Sequence, residues 1–148
     1  MVMNLEYLVF YTGNLKYGFN YVYTKKINGH AFYIKRTPFS KISDIADKKF
    51  DFYNPHFNKK THKPFIKHYK EKFINLTDRW DRFSITSLNL IQDWKLEYTS
   101  PFNFKTSQNN EWGVRFKTTK LLKEKIIFGI NSYPKNFGQF KKYLKSFI

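Results

Sequence analysis

Lysine and histidine side chains recur through one proline-bounded segment, residues 54–64, NPHFNKKTHKP. Such side chains donate charge-assisted hydrogen bonds to phosphate oxygens. The alternative is a solvated basic surface that binds nothing. With one apolar side chain, the segment cannot bury enough surface to offset an ordering entropy of about 1–2 kcal/mol per residue. We therefore expect the segment to be mobile on its own and to become ordered when it binds a polyanion.

The basic residues around this segment extend the candidate phosphate-binding set in both directions. Several precede it, and others lie on the residues that follow Pro64, where the apolar residues of FIKHYKEKF have lysines between them. The predicted binding residues are Lys35, Arg36, Lys41, Lys48, Lys49, His56, Asn58, Lys59, Lys60, His62, Lys63, Lys67, His68, Lys70 and Lys72.

Three of these residues, His56, His62 and His68, recur every six positions, so a metal site is an alternative. Zinc sites favour closer ligand pairs on a firm scaffold, and the surrounding lysines oppose a cation. Contacts to phosphates or base edges suit these imidazoles better. We expect no metal and no cofactor.

Carboxylates at Asp78, Asp81 and Asp93, the last followed by Lys95, allow a second alternative, a metal-dependent nuclease. In that mechanism carboxylates hold the ion and a lysine polarises the attacking water. The same residues also fit an acidic first helical turn and the polar face of a strand, which we favour. Since nothing resembles a nucleophile triad or a glycine-rich phosphate loop, we expect no enzymatic activity and no small-molecule substrate.

The net charge points to a polyanionic partner. The 148 residues contain 27 Lys and Arg against 11 Asp and Glu, a formal charge of +16. A field of this sign attracts nucleic acid through counterion release, with an acidic membrane surface as the second partner class. No apolar run reaches the 18–20 residues that would span a bilayer, so we expect a protein that is not membrane-integral. Without cysteine, disulfides and thiolate metal sites are excluded.

The pattern of apolar residues predicts alternating strands and helices. A helix is indicated at 15–27 by Leu15, Phe19, Val22 and Tyr23, with Asn28-Gly29 as its stop. A second helix opens at Thr77 or Asp78, with Trp80, Phe83, Ser84, Ser87, Leu88 and Ile91 on one face. Strands are expected at 5–12, 31–35, 48–53, 65–76 and 94–99.

This order, strand, helix, strand, strand, helix, strand, predicts the α+β class with a ferredoxin-like βαββαβ domain over residues 1–99. Residues 50–76 would form a long protruding β-hairpin with its tip at about 54–64. Residues 100–148 open with a polar, turn-rich stretch and carry 10 basic against two acidic residues from 101 onward. We expect them to be a basic C-terminal extension with two short helices, at 117–130 and 138–148.

The segment NPHFNKKTHKPFIKHYKEKFINL, residues 54–76, resembles without gaps the hairpin signature of the small-subunit ribosomal protein S-ten family, whose bacterial member doubles as the antitermination factor NusE. Upstream, TPFSK and KKFDFY are similar to the family's proline-led arm, and residues 78–99 are similar to its second helix and last strand. The resemblance covers about residues 5–99. It departs at His68-Tyr69-Lys70, where the family has Arg-Thr-His. The matching hairpin positions are Pro55, His56, Asn58, Lys59, Lys60, Phe65 and Ile74.

The resemblance implies a structural protein of the small-subunit head whose hairpin contacts rRNA and neighbours of the S-three, S-nine and S-fourteen families. A vocabulary rich in Phe, Tyr, Ile, Asn and Lys suggests an AT-rich genome. Because MVMNLEYLVFYTG lacks the features of a presequence, we expect an organelle-encoded, mitochondrial ribosomal protein. A bacterial cytoplasmic protein is the alternative.

Two further interpretations stay open. One is a basic, phage-type inhibitor that binds a single RNA–protein machine. The other is base stacking on Phe10, Tyr11, Phe32 and Tyr33, as on the open sheets of some RNA-binding domains. With 17 Phe and 11 Tyr in the chain, we favour core packing for these four rings.

Overall fold

The computed structural model describes residues 4–14, 18–38, 69–99, 110–121 and 123–148. Over these residues the chain forms a mixed α+β fold of one sheet and two α-helices, which confirms the predicted class. The strands are β1 (Leu5–Asn14), β2 (Gly18–Ile27), β3 (His30–Pro38), β4 (Tyr69–Asn75), β5 (Glu97–Tyr98), β6 (Glu111–Thr118) and β7 (Lys125–Ile130); the helices are α1 (Trp80–Ile91), preceded by a 3-10 turn (Thr77–Arg79), and α2 (Phe137–Lys145).

The sheet has the order β4-β3-β2-β1-β6-β7-β5. Every neighbouring pair is antiparallel except β5 and β7, which are parallel over two residues. Aromatic and β-branched residues dominate the central strands, as expected of residues that pack well on a pleated surface. Both helices cover one face of this sheet, where the larger core cluster lies.

The helix predicted at 15–27 is wrong, because the described part of that segment is strand β2. Asn28 and Gly29 both have positive φ, 51° and 82°, and Ile27 pairs with His30. This is the two-residue turn that an Asn-Gly pair favours between antiparallel strands. Phe19, Tyr21 and Tyr23 alternate along one face of β2 and Val22 lies on the other, so the turn and the partner strands decide for β structure.

The second predicted helix is confirmed as α1. Trp80, Phe83, Ser84, Ser87 and Ile91 are buried on its inner face. Neither Thr77 nor Asp78 caps it through a side chain. Thr77 Oγ1 instead accepts a hydrogen bond from the Ala31 amide at 3.1 Å, which ties the start of the helix to β3.

Residues 100–148 do not stand apart from residues 1–99 where the structure describes both. Strand β6 pairs with β1 along its length, so it lies near the centre of the sheet. Phe140 and Leu144 of α2 are fully buried in the same core as Leu8 and Phe10. The predicted boundary at residue 99 therefore does not separate two cores.

Of the two helices predicted in this tail, the second is confirmed as α2. The first, at 117–130, is wrong, because residues 125–130 form strand β7. Ile126 and Ile127 there alternate between exposed and buried positions, as neighbours on a strand do.

The ferredoxin-like order is not confirmed, since β1, β2 and β3 follow one another as an antiparallel meander over the described residues. The predicted strand at 94–99 shortens to Glu97–Tyr98, and Leu96 is exposed rather than aligned with buried Trp94. The predicted strand at 48–53 and the hairpin tip at 54–64 lie outside the described residues.

Candidate nucleic-acid interface

Four of the fifteen predicted phosphate-binding residues lie on described strands. Lys35 and Arg36 are on β3, and Lys70 and Lys72 are on β4. The register places Lys35 directly opposite Lys72, and Thr37 opposite Lys70. The other eleven lie outside the described residues: Lys41, Lys48, Lys49, His56, Asn58, Lys59, Lys60, His62, Lys63, Lys67 and His68.

Strand alternation decides which way Lys35 is directed. Tyr33 lies two residues before it, is fully buried, and belongs to the core under the helices. Lys35 therefore lies on the helix-covered face, beyond the end of the core, and its side chain is half-buried. Lys72, its cross-strand neighbour, is exposed on the same face.

Helix α2 brings two more lysines to this place. The Tyr33 hydroxyl donates a hydrogen bond of 2.7 Å to the carbonyl of Leu144, which fixes the end of the helix over β3. At the other end, Asn136 accepts a hydrogen bond from Trp94 Nε1 and donates one to the Leu90 carbonyl, both at 2.6 Å. Lys141 and Lys145, four residues apart, then lie on one side of the helix.

These lysines border a cavity of about 230 Å³ between α2 and strands β1, β2 and β3. We call it the lysine pocket. It combines three cations with two small polar side chains and an apolar floor. The lining residues are Lys35, Lys141 and Lys145, then Thr12 and Asn20, then Phe10, Val22, Tyr33 and Leu144.

The charge of the lysine pocket is uncompensated within the part of the chain that the structure describes. None of its three lysines forms an ion pair with a described carboxylate. Lys141 Nζ lies 5.8 Å from the centre of the Phe137 ring, a weak cation–π contact. Three ammonium groups around one cavity repel one another, and a bound anion would relieve that repulsion.

The opposite face of the sheet carries charges of a different kind. Arg115 Nε donates a 2.6 Å hydrogen bond to Glu124, which also accepts one from the Tyr7 hydroxyl. Lys117 Nζ lies 2.8 Å from a Glu6 carboxylate oxygen. Burial, followed by the hydrogen bond to Glu124, raises the pKa of Tyr7 well above its usual value. We call Glu6, Tyr7, Arg115, Lys117 and Glu124 the paired cluster.

The carboxylates considered for a nuclease lie on the surface. Asp78 is in the 3-10 turn, Asp81 is in the first turn of α1, and Asp93 follows that helix; all three are exposed. The described residues contain no group of three or more side chains that could together hold a metal ion.

Three of the four aromatic residues considered for base stacking are core residues, as predicted. Phe10, Tyr11 and Tyr33 are buried, while Phe32 is only partly buried. Phe32 stacks against the exposed ring of Phe73, with centroids 6.0 Å apart. Tyr11 and Phe32 lie on the face opposite the helices.

Sequence reasoning missed Thr12, Asn20, Lys141 and Lys145 as site residues. The two lysines carried a signal, because FKKYLK places them four apart on a predicted basic helix. Thr12 and Asn20 face each other across β1 and β2. This pairing could not be predicted while residues 15–27 were expected to form a helix.

Comparisons with protein-family models, with characterised proteins and with solved structures found no match for this chain. Neither of the described helices is long and apolar enough to cross a bilayer.

Proposed function

We propose that this protein is a non-catalytic RNA-binding protein that contacts phosphates through the lysine pocket and the neighbouring Lys72. The observation that carries the proposal is the convergence of Lys35, Lys141 and Lys145 on one cavity. They come from segments about 100 residues apart and have no acidic partner among the described residues. Phosphates are the ligands that neutralise such a cluster.

A structural explanation competes for part of this charge. Lysines in the last turn of a helix interact favourably with its dipole, and Lys142 and Lys145 both occupy that turn of α2. This effect explains neither Lys35, which is on a strand, nor Lys141. A net charge of +16 further supports binding of a polyanion.

The particle that we propose is the small ribosomal subunit, on the strength of the resemblance at residues 54–76. In this proposal Lys59, Lys60 and Lys63 also contact rRNA, and proteins of the S-three, S-nine and S-fourteen families are neighbours. The residue composition favours a mitochondrial ribosome. The ferredoxin-like order implied by the resemblance is not found in the described residues, so the proposal depends on the hairpin motif and the charge.

Sedimentation tests the proposal at the level of the particle. The tagged protein is expressed in cells with AT-rich mitochondrial genomes, and mitochondrial lysate is run on a sucrose gradient. We expect it to migrate with the small subunit and to return to the top of the gradient after RNase treatment. Migration at the top without RNase, in low salt, would reject the ribosomal assignment.

Salt dependence tests the mechanism with the purified protein. Each phosphate contact to a single strand contributes about −0.7 to the slope of log affinity against log salt. We expect the variant Lys35→Gln/Lys141→Gln/Lys145→Gln to flatten that slope by about 2, measured by anisotropy of a fluorescent RNA. A slope equal to that of the wild type would reject the lysine pocket as the phosphate site.

A further inference from the structure

We infer that the lysine pocket takes one unstacked nucleotide of single-stranded RNA, with its base in the cavity and its phosphates on the lysines. This inference rests on the proposed RNA-binding function and specifies its ligand. It depends on the chemistry of the cavity floor and walls, which phosphate binding alone does not require.

The pocket has two chemistries in one small space. Phe10, Val22 and Leu144 are buried residues that give it an apolar floor, while the three lysines stand around it. A phosphate ion would gain nothing from the floor, and an apolar ligand would leave the lysines unneutralised. A nucleotide has one flat, largely apolar part and one anionic part, so it matches both.

Two polar side chains on one wall match the edge of a base. Thr12 and Asn20 are directly opposite each other on β1 and β2. Neither side chain forms a hydrogen bond within the described part of the chain. A hydroxyl and an amide together offer donors and acceptors to a base edge.

The size of the cavity limits the ligand to about one nucleotide. Its volume of about 230 Å³ is below the roughly 300–1,000 Å³ typical of pockets for drug-sized ligands. A base pair within a duplex could not enter, because its edges and faces are already engaged. Protein side chains read single-stranded RNA by accepting splayed bases in this way.

Two RNA probes distinguish a base in the pocket from phosphates at its rim. The first is a fluorescein-labelled octauridylate, and the second is the same ribose-phosphate chain without its bases. We expect the wild-type protein to bind the abasic chain about tenfold more weakly, since one base contact of this kind contributes a factor of about 5 to 150. The salt slope should be the same for both probes.

The protein variant Thr12→Val/Asn20→Ala tests whether the weaker binding of the abasic chain arises in the lysine pocket. It keeps all three lysines, so we expect an unchanged salt slope and an abasic penalty of less than threefold. Lys142→Gln is the control for a change outside the cavity, because Lys142 lies with Lys145 in the last turn of α2 but does not line the cavity. It should retain the tenfold penalty.

Crosslinking gives an independent readout. With 4-thiouridine in the probe, we expect crosslinked peptides from residues 9–25 and 33–35. Equal affinity for intact and abasic chains, with normal salt dependence, would overturn the nucleotide pocket and leave RNA binding intact. Binding of uridine monophosphate as tightly as the oligomer would also overturn the inference, because the pocket would then be a site for small anions rather than for one nucleotide of an RNA strand. If no RNA binds, the inference and the proposed function both fail.

Discussion

The lysine pocket and the paired cluster lie on opposite faces of one sheet, and they treat positive charge differently. In the paired cluster, Arg115 and Lys117 each contact a glutamate. In the lysine pocket, three lysines contact no described carboxylate. The comparison shows how cations that hold the fold together differ from cations that remain available to a ligand.

Burial also separates the Arg115–Glu124 pair from the lysine pocket, although Lys117 and Glu6 of the paired cluster are 27% and 42% exposed. The side chains of Arg115 and Glu124 are only 15% and 22% exposed, so solvent screens their interaction weakly. Lys145 of the pocket is exposed and Lys35 and Lys141 are half-exposed, so water stabilises them without a partner. We therefore expect the buried pair to contribute to folding and the exposed lysines to contribute mainly to the proposed binding.

The largest effect should follow from removing residues 100–148, because both regions combine early and late parts of the chain. Lys35 needs α2 to form the pocket, and Tyr7 needs Glu124. The truncated chain would also lose β6 from the centre of the sheet and Phe140 from the core. We expect it to lack a cooperative urea transition by circular dichroism, while removal of Ile148 alone should keep one. Cooperative unfolding of the truncated chain would instead mean that residues 1–99 fold as a separate domain.

The second effect separates binding from stability. The variant Lys35→Gln/Lys141→Gln/Lys145→Gln should bind single-stranded RNA on the order of 100-fold more weakly at 50 mM salt, since three phosphate contacts are lost. Its free energy of unfolding should stay within about 0.5 kcal/mol of wild type or rise, because like charges are removed. A loss above 2 kcal/mol in urea denaturation would mean that these lysines are structural.

The third effect is the converse, a change of stability without a change of binding. Glu124→Gln would leave Arg115 partly buried without its ionic partner and should lower the free energy of unfolding by about 2 kcal/mol. Glu97→Gln, at an exposed position, is the control and should change it by less than about 0.5 kcal/mol. If Glu124→Gln also weakened RNA binding tenfold in the folded protein, the two faces would not be separate in function.

The smallest effect is a dependence on alkaline pH within the paired cluster. The folded state raises the pKa of Tyr7 above the value of about 10 that it has in the unfolded chain. The unfolded state therefore releases this proton first, and the stability that Tyr7 contributes is full below pH 10 and is lost as the pH rises further. Urea midpoints measured from pH 8 to 11 should fall less steeply for Tyr7→Phe than for wild type. Equal dependence of the urea midpoint on pH in the two proteins would contradict the assignment of this effect to Tyr7.

Local patterns predicted some elements well. Helix α1 was found from a stripe of apolar and small residues, because a 3.6-residue period records the buried face directly in the sequence. Strands β1, β3 and the described part of the 65–76 prediction were found from β-prone residues. In β2 the spacing of the aromatic residues fitted both the helical and the strand period. The Asn-Gly pair, which forms the turn between β2 and β3, was interpreted as a helix stop.

The pairing of distant segments could not be predicted in the same way. Nothing local in EWGVRFKT indicates that it pairs with β1 rather than forming part of an extension. Partner choice in a sheet depends on all the other strands at once, through the burial of both faces. For this reason the predicted order is not confirmed, and the pairing of β6 with β1 across residue 99 was not anticipated.

The sequence by itself determined the net charge of +16, the mixed α+β class and the position of α1, because composition and short-range periodicity are properties of neighbouring residues. Only the tertiary structure decided that Lys35 joins Lys141 and Lys145 around one cavity while Arg115 and Lys117 are matched with glutamates. Which charges meet depends on how strands and helices pack across about 100 residues of chain. Long-range packing therefore separates the lysines available to a ligand from the charges already paired within the fold.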